Sequence, residues 1–307
     1  MTPIPSPPAY RGRFAPSPTG PLHAGSLATA VGSYLEARSR QGEWLVRMED
    51  LDPSRTRPAA ATRILGVLER FGMQWDGEVL HQSRRSEAYR AALALLEGRG
   101  MVYPCTCSRR EIAHSSITGV DGPIYPGTCR DHRVDTSRAH AMRVRTDNAV
   151  VEIVDGICGV IRQRLKHDVG DFVLRRADGV FTYQLAVVVD DAEQGVTHVV
   201  RGSDLLASTP RQIHLQHLLG YPTPAYMHLP LVVNVHGEKL GKQTHAPPLD
   251  PSDPVPWLIE ALHFLGQQPP AGLAESGLTA IWEWATRNWK PGSIPSRCPH
   301  ASHARHA

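Results

Sequence analysis

The chain has 307 residues, 41% of them hydrophobic and 21% charged, with a formal net charge of +3. That is a globular composition, long enough for one large or two ordinary domains around a well-buried core. No apolar run is long enough to span a bilayer, and so small a positive charge does not by itself announce a nucleic-acid binder.

The opening "MTPIPSPPAY" lacks a charged region followed by an apolar stretch, so residues 1–10 read as a disordered lead rather than a secretory signal, with the cytoplasm as the default compartment. "YRGRF" reads as a short strand, broken at Ala15-Pro16. A helix follows from Leu22 to about Arg40, with Leu27, Val31 and Leu35 at helical spacing. "EWLVRMED" is a second strand, and "PAAATRILGVLERFG" a second helix with Pro58 in its first turn and Gly72 at its end. A third helix, "RRSEAYRAALALLEGRG", closes the segment 11–100. Strand and helix in short alternation predict an α/β fold with a doubly wound parallel sheet, of which 11–100 is the first half.

The rhythm changes over 101–195. A stretch rich in Gly, Pro and Cys gives way to the strands "AMRVR" and "VVEIVD" and to "DFVLRRADGVFTYQLAVVV", which reads as a hairpin turning at Asp178-Gly179. This segment is expected to be an α+β subdomain inserted between the halves of the sheet. The alternation resumes over 196–249 with "VTHVVRG", a helix around "TPRQIHLQHLLG" and the strand "LPLVVN". A short helical region is expected over 250–295 and a disordered tail over 296–307.

Three features carry chemistry. First, the turn "PSPTGPLHAGS" leaves a parallel strand and enters a helix, so it lies at the carboxyl edge of the sheet, where unpaired N–H groups and the helix dipole suit phosphate. Gly20 and Gly25 allow close approach of a polyanion, and His23 supplies a donor toward a phosphoryl oxygen. Second, of 33 basic residues only four are lysines (Lys166, Lys239, Lys242 and Lys290), and two of these share the glycine-containing stretch "HGEKLGKQ". An ammonium and a guanidinium are not interchangeable at phosphate, and in a doubly wound sheet this loop returns to the edge that holds His23. Third, Cys105, Cys107 and Cys129 cluster as the three thiolates of a zinc knuckle that wants a fourth ligand, for which His114 or His132 is the conventional chemistry. Cys158 and Cys298 have no evident partner, and an odd total of five argues against a disulfide framework.

Taken together, these stretches resemble the class I aminoacyl-tRNA synthetases, in particular the glutamyl-tRNA synthetase family. "RFAPSPTGPLHAGS" matches the HIGH-type signature, with His23 at the first histidine and Ser26 where many members carry the second. "RMEDLDPSR", "HQSRRSEAYRAALALLEGRGMVYPCTCS", "VVDDAEQGVTHVVRGSDLL" and "LPLVVNVHGEKLGKQ" extend the match from about Arg11 to Gln243. "KLGKQ" stands at the KMSKS-type loop, with Gly241 where the family has serine. The resemblance implies ATP and Mg²⁺, with His23 and Lys242 as catalytic groups and Gly25, Ser26 and Lys239 also at the nucleotide. It implies a glutamate site of Arg13, Phe14, Ala15, Pro16, Ser17, Glu49, Tyr183 and Arg201. Arginines suit the two carboxylates in either assignment, and Glu49 suits the α-ammonium. For the knuckle it points to Tyr125 as the fourth zinc ligand.

Beyond Gln243 only about 60 residues remain, too few for a helical anticodon-reading domain. A catalytic core with a cysteine cluster and no such domain resembles the glutamyl-queuosine tRNA(Asp) synthetases. That resemblance implies glutamate activation without tRNA and transfer to queuosine in the anticodon loop of tRNA(Asp); the protein is expected to be a monomer with no membrane association. The alternatives are a truncated glutamyl-tRNA synthetase charging a tRNA 3′ end, an adenylating enzyme whose acceptor is a small molecule or carrier protein, and a zinc-containing RNA-binding module without catalysis.

Overall fold

The chain opens with strand β1 (Arg11–Phe14), helix α1 (Ala24–Arg38), strand β2 (Glu43–Met48), helix α2 (Pro58–Arg70), strand β3 (Leu80–His81) and helix α3 (Ser86–Gly98). The structure is a computed structural model that describes residues 10–115, 118–119, 122–233, 249–296 and 298. The three strands pair in parallel in the order β1-β2-β3. In β2 every residue from Trp44 to Met48 is buried, the continuous burial of a parallel strand covered on both faces.

The next segment is built of antiparallel strand pairs. It comprises β4 (Val102–Cys105), α4 (Arg109–Ser115), the ribbon β5 (Thr118–Gly119) and β6 (Gly122–Pro123), β7 (Ala141–Val144), the hairpin β8 (Val150–Asp155) and β9 (Gly159–Arg164), the one-turn α5 (Leu165–Asp168), and β10 (Val173–Arg175). Its sheet has the order β10-β7-β4. Then come α6 (Tyr183–Glu193), β11 (His198–Gly202), α7 (Thr209–Leu219), β12 (Ala225–Leu229), α8 (Pro254–Phe264) and α9 (Gly277–Asn288).

β11 and β12 pair in parallel, and β11 lies beside β1: the Thr197 amide donates to the Arg11 carbonyl at 2.9 Å, and the Arg11 amide to Thr197 Oγ1 at 2.9 Å. The two parallel groups therefore stand edge to edge, β3-β2-β1 followed by β11-β12, as a doubly wound sheet requires. One core packs α1, β2 and α2 against α8 and α9; a second packs α3, α6 and α7 against the antiparallel layer. Gly32 eases the first: a Cβ there would stand 2.7 Å from Leu229 Cδ1, so a side chain would force that buried leucine to shift.

Two expectations are corrected. The turn at Asp178-Gly179 is present, with the Arg176 amide donating to the Val180 carbonyl at 2.8 Å, but its second arm stops at one bridge, Arg175 to Phe181. "YQLAVVVDDAE" then runs as α6, buried on all sides from Leu185 to Asp191. A helix with no solvent face shows no amphipathic contrast, and its valines imitate a strand. Second, Cys158 and Cys298 are partners after all, joined in a disulfide across 140 residues. The turn between β8 and β9 meets the end of the chain there, with Ser296 Oγ donating to the Ile157 carbonyl at 3.2 Å. Sequence spacing carries no signal of so distant a pairing. The expected lead and tail lie mostly outside the described residues, although Tyr10 is buried and stacks on His198.

Asp190 holds α6 to α3. Its fully buried carboxylate accepts from Gln82 Nε2 at 2.7 Å, Arg85 Nε at 2.6 Å and the Tyr89 hydroxyl at 2.9 Å. Asp190→Ala should lower the unfolding free energy by about 3 kcal/mol, because it strands three donors; urea denaturation checks this, and Asp190→Asn should lose less.

Candidate active site

The carboxyl ends of β1, β2, β11 and β12 surround one cavity of about 290 Å³. That edge is where α/β sheets place ligands. Phe14 to Ser17 extend β1 into its wall, Glu49 follows β2, Arg201 and Gly202 end β11, and Pro230 to Val232 follow β12. The Glu49 amide donates to the Pro16 carbonyl at 3.0 Å, which ties two of these ends together.

α1 begins at the same edge. His23 is its N-cap in extended backbone, and Nδ1 accepts from the Ser26 amide at 3.3 Å while Ser26 Oγ accepts from the His23 amide at 2.9 Å. This is a capping box with an imidazole in place of the usual hydroxyl. With Nδ1 used as an acceptor, the neutral ring carries its proton on Nε2. Gly20, His23, Gly25 and Ser26 all line the cavity beside the first turn of α1, an arrangement that suits an anion.

Beneath the cavity lie buried charges. Asp191 on α6 is shared by two guanidiniums: Arg13 donates from Nε at 3.1 Å, and Arg47, fully buried, donates from Nη2. Burial alone would raise the Asp191 carboxyl, but Arg13 and Arg47 outweigh it and hold it below its ordinary range. Arg201 is equally buried yet meets no carboxylate among the described residues; its Nη1 donates to the Tyr183 hydroxyl at 3.1 Å. Glu49 Oε1 is buried with no hydrogen-bond partner among the described residues. Burial pushes the Glu49 carboxyl up to about 7, against the pull of Arg47, Arg13 and Arg201.

The structure thus brings Arg13, Phe14, Ala15, Pro16, Ser17, Glu49, Tyr183 and Arg201 to one cavity with His23, Gly25 and Ser26. Lys239 and Lys242 lie outside the described residues. Of the residues that flank them, Leu231 and Val232 wall the cavity, and the Leu249 amide donates to the Leu22 carbonyl at 3.1 Å beside His23. Sequence reasoning passed over Asp191, Asp155 and His228. Paired aspartates inside the apolar run "LAVVVDDA" were the available signal for the first; the other two gave none.

A second cluster lies in the antiparallel layer. The Sγ atoms of Cys105, Cys107 and Cys129 all fall within 4.8 Å of one another. The Tyr125 hydroxyl stands 3.4 Å from Cys105 Sγ and 3.7 Å from Cys107 Sγ, and Cys107 and Cys129 Sγ are 3.5 Å apart. A tetrahedral zinc with ordinary Zn–S and Zn–O lengths has edges of about 3.8 Å between sulfurs and about 3.5 Å from sulfur to oxygen. Those three separations fit. His114 Nδ1 instead faces the Arg110 carbonyl at 2.9 Å, and His132 is exposed. Burial raises the Cys107 thiol to about 11. For Cys129, burial is outweighed by hydrogen bonds from Tyr125, the Thr106 backbone and the neighbouring thiols, which bring it down to about 7. Gly170 makes room for Tyr125: with φ of 73°, its hypothetical Cβ would meet the Tyr125 backbone at 3.0 Å.

A family model described as tRNA synthetases class I (E and Q), catalytic domain, matches residues 9–250. The chain belongs to that family. Over 94% of its length it is 56% identical to a Glutamyl-Q tRNA(Asp) synthetase of Chromobacterium violaceum and covers 96% of that protein. It is 53% identical to the enzyme of the same name from Aromatoleum aromaticum, covering 97% of this chain and 96% of that one. In fold it is similar to a glutamate tRNA ligase from Elizabethkingia meningosepticum, solved in complex with its amino acid, with a TM-score of 0.78 and 23% identity over 95% of this chain and 67% of that one. This synthetase is a ligase of the class I type. Among its described residues no helix is long and apolar enough to cross a membrane.

The cap can be separated from any chemistry at His23. His23→Ala should lower stability by about 1 kcal/mol and His23→Asn should recover most of it, since asparagine is a good N-cap; thermal unfolding of both variants checks this.

Proposed function

We propose that this synthetase activates L-glutamate with ATP, without tRNA, and transfers the glutamyl group to queuosine in the anticodon loop of tRNA(Asp). The observation that carries the reading is the charge pattern under the cavity. Three buried guanidiniums against Asp191 leave two positive charges; once a bound ammonium ionises Glu49 one remains, which the single net negative charge of glutamate cancels. The relatives named for the queuosine reaction, matched along nearly their whole length, support the acceptor.

In this reading Arg13 and Arg201 bind the two carboxylates, Glu49 takes the α-ammonium, and Tyr183 and Ser17 add neutral hydrogen bonds. An oxygen of the glutamate α-carboxylate attacks the α-phosphorus of ATP and pyrophosphate leaves. His23, through Nε2–H, and the first N–H groups of α1 stabilise the charge that grows on the phosphoryl oxygens. Lys239 and Lys242 bind the triphosphate, and Mg²⁺ with ATP supplies further charge neutralisation. A queuosine hydroxyl then attacks the acyl carbon and AMP leaves. Cys105, Cys107, Tyr125 and Cys129 would hold a structural zinc that braces the inserted layer. The enzyme acts as a cytoplasmic monomer.

With ATP and labelled glutamate, queuosine-containing tRNA(Asp) should become labelled and the same tRNA carrying guanine should not; label on the 3′-terminal adenosine of tRNA(Glu) would refute the assignment. His23→Asn, which keeps the cap, should still slow glutamate-dependent pyrophosphate exchange by about 100-fold.

The pH dependence has a definite sign. Free Glu49 holds its proton up to about 7, whereas the ammonium demands the ionised form, so binding expels a proton at lower pH. The kcat/KM for glutamate should therefore fall by about tenfold per unit below about pH 7 and level off above it. A profile flat through that range would contradict Glu49 as the ammonium partner. For the metal, elemental analysis should find about one zinc per chain, falling in Tyr125→Phe; less than about half an equivalent in the native protein speaks against the site.

A further inference from the structure

Arg201 and His228 are register partners on the parallel strands β11 and β12, so their side chains lie abreast on one face of the sheet. Arg201 Nε donates to His228 Nε2 at 3.0 Å, and His228 Nδ1 stands 2.6 Å from Asp155 Oδ2. All three side chains are buried. We propose that His228, held in its Nδ1-protonated tautomer by Asp155, is a positioning residue that aims the Arg201 guanidinium into the cavity. The inference rests on the reading of Arg201 as a glutamate ligand, and it adds the device that keeps that ligand in place.

Counting protons fixes the tautomer. A guanidinium only donates, so His228 Nε2 must offer its lone pair to Arg201. An ionised carboxylate only accepts, so Nδ1 must carry the hydrogen that faces Asp155. Asp155 is itself pinned, because Oδ1 accepts from the amides of Ile157 at 3.0 Å, Cys158 at 2.8 Å and His228 at 3.2 Å. Burial, with the help of the Arg201 charge, outweighs Asp155 and brings the imidazole down to about 4, so it stays neutral. The rest of Arg201 is held by groups without charge: Tyr183, and Thr209 Oγ1 at 2.7 Å from Nη2. Arg13 differs, since Asp191 both orients and neutralises it. Imidazole orients Arg201 and leaves its charge for the ligand.

Asp155→Asn is the sharpest test. The three backbone amides keep the asparagine oxygen at the Oδ1 position, which turns the NH₂ toward His228 Nδ1. The ring must then accept at Nδ1 and carry its proton on Nε2, against Arg201 Nε–H. We expect KM for glutamate in pyrophosphate exchange to rise by about tenfold or more, with kcat and KM for ATP changed by less than about threefold. Long-range ¹H–¹⁵N spectra of labelled protein should show His228 passing from the Nδ1–H to the Nε2–H form. If Asp155→Asn fails to fold, His228→Leu should give the same rise in KM, and His228→Gln, whose amide oxygen can replace Nε2, should recover most of it. An unchanged KM in Asp155→Asn or His228→Leu overturns the proposal. Arg201→Ala separates the two layers: if it raises KM while the Asp155 and His228 variants do not, only the positioning role falls. If Arg201→Ala leaves KM unchanged, the glutamate reading falls with it.

Discussion

A guanidinium cannot shed its charge, and to bury one without acceptors costs several kcal/mol. Three lie beneath one sheet edge here, and the surrounding elements are arranged to satisfy them. Asp191 reaches from α6 between Arg13 on β1 and Arg47 on β2, so a helix at the end of the insertion is fastened to strands from before it. Arg47 adds Gln194 Oε1 at 2.7 Å, just past the end of the same helix. The position of α6, the meeting of β1 with β11 and the floor of the cavity thus follow from one electrostatic demand.

The nature of each partner then decides what is left for a ligand. Arg13 and Arg47 share a single carboxylate, so together they remain one charge in excess. Arg201 has imidazole, phenol and hydroxyl partners and keeps its charge whole. Glu49 is the opposite case: a carboxyl with a buried oxygen that has no hydrogen-bond partner among the described residues. Local stability would favour a donor beside Glu49 and a carboxylate beside Arg201. Among the described residues neither is present, a pattern that suits a candidate binding site, where local rules are broken because a ligand completes them.

Much of this was legible in the sequence where the signal is local. The turn "PTGPLHAGS" announces a strand-to-helix passage with a capping residue, and Pro58 and Gly72 bound α2; such features depend on a few consecutive residues. The cavity wall was legible through long motif matches, which compress non-local information into local words. What escaped was non-local or hidden. α6 was mistaken for a strand because it has no solvent face. The Cys158–Cys298 bond spans 140 residues, and counting cysteines failed because the odd three belong together at Tyr125. The Asp155–His228–Arg201 chain joins a hairpin, an outer strand and an inner strand, none with a distinctive spacing.

The same non-locality bears on how the site forms. Joining β1 to β11 links Arg11 to Thr197 across 186 positions, and closing a flexible loop of that length costs about 5 kcal/mol in chain entropy before any contact in the cavity is made. The intervening segment is not flexible, however. α3 and α6 pack with β4, β7 and β10 around their own core, and Asp190 fastens α3 to α6 within it. If that unit forms first, the strands it connects are already close, and most of the closure entropy has been offset by contacts local to the insertion. A zinc at Cys105, Cys107, Tyr125 and Cys129 would act on this step, since it joins β4 to the loop before β7 and stabilises the unit that brings the halves together. The thiol cluster would then act on the site without approaching it, by making the sheet edge that carries the cavity easier to assemble.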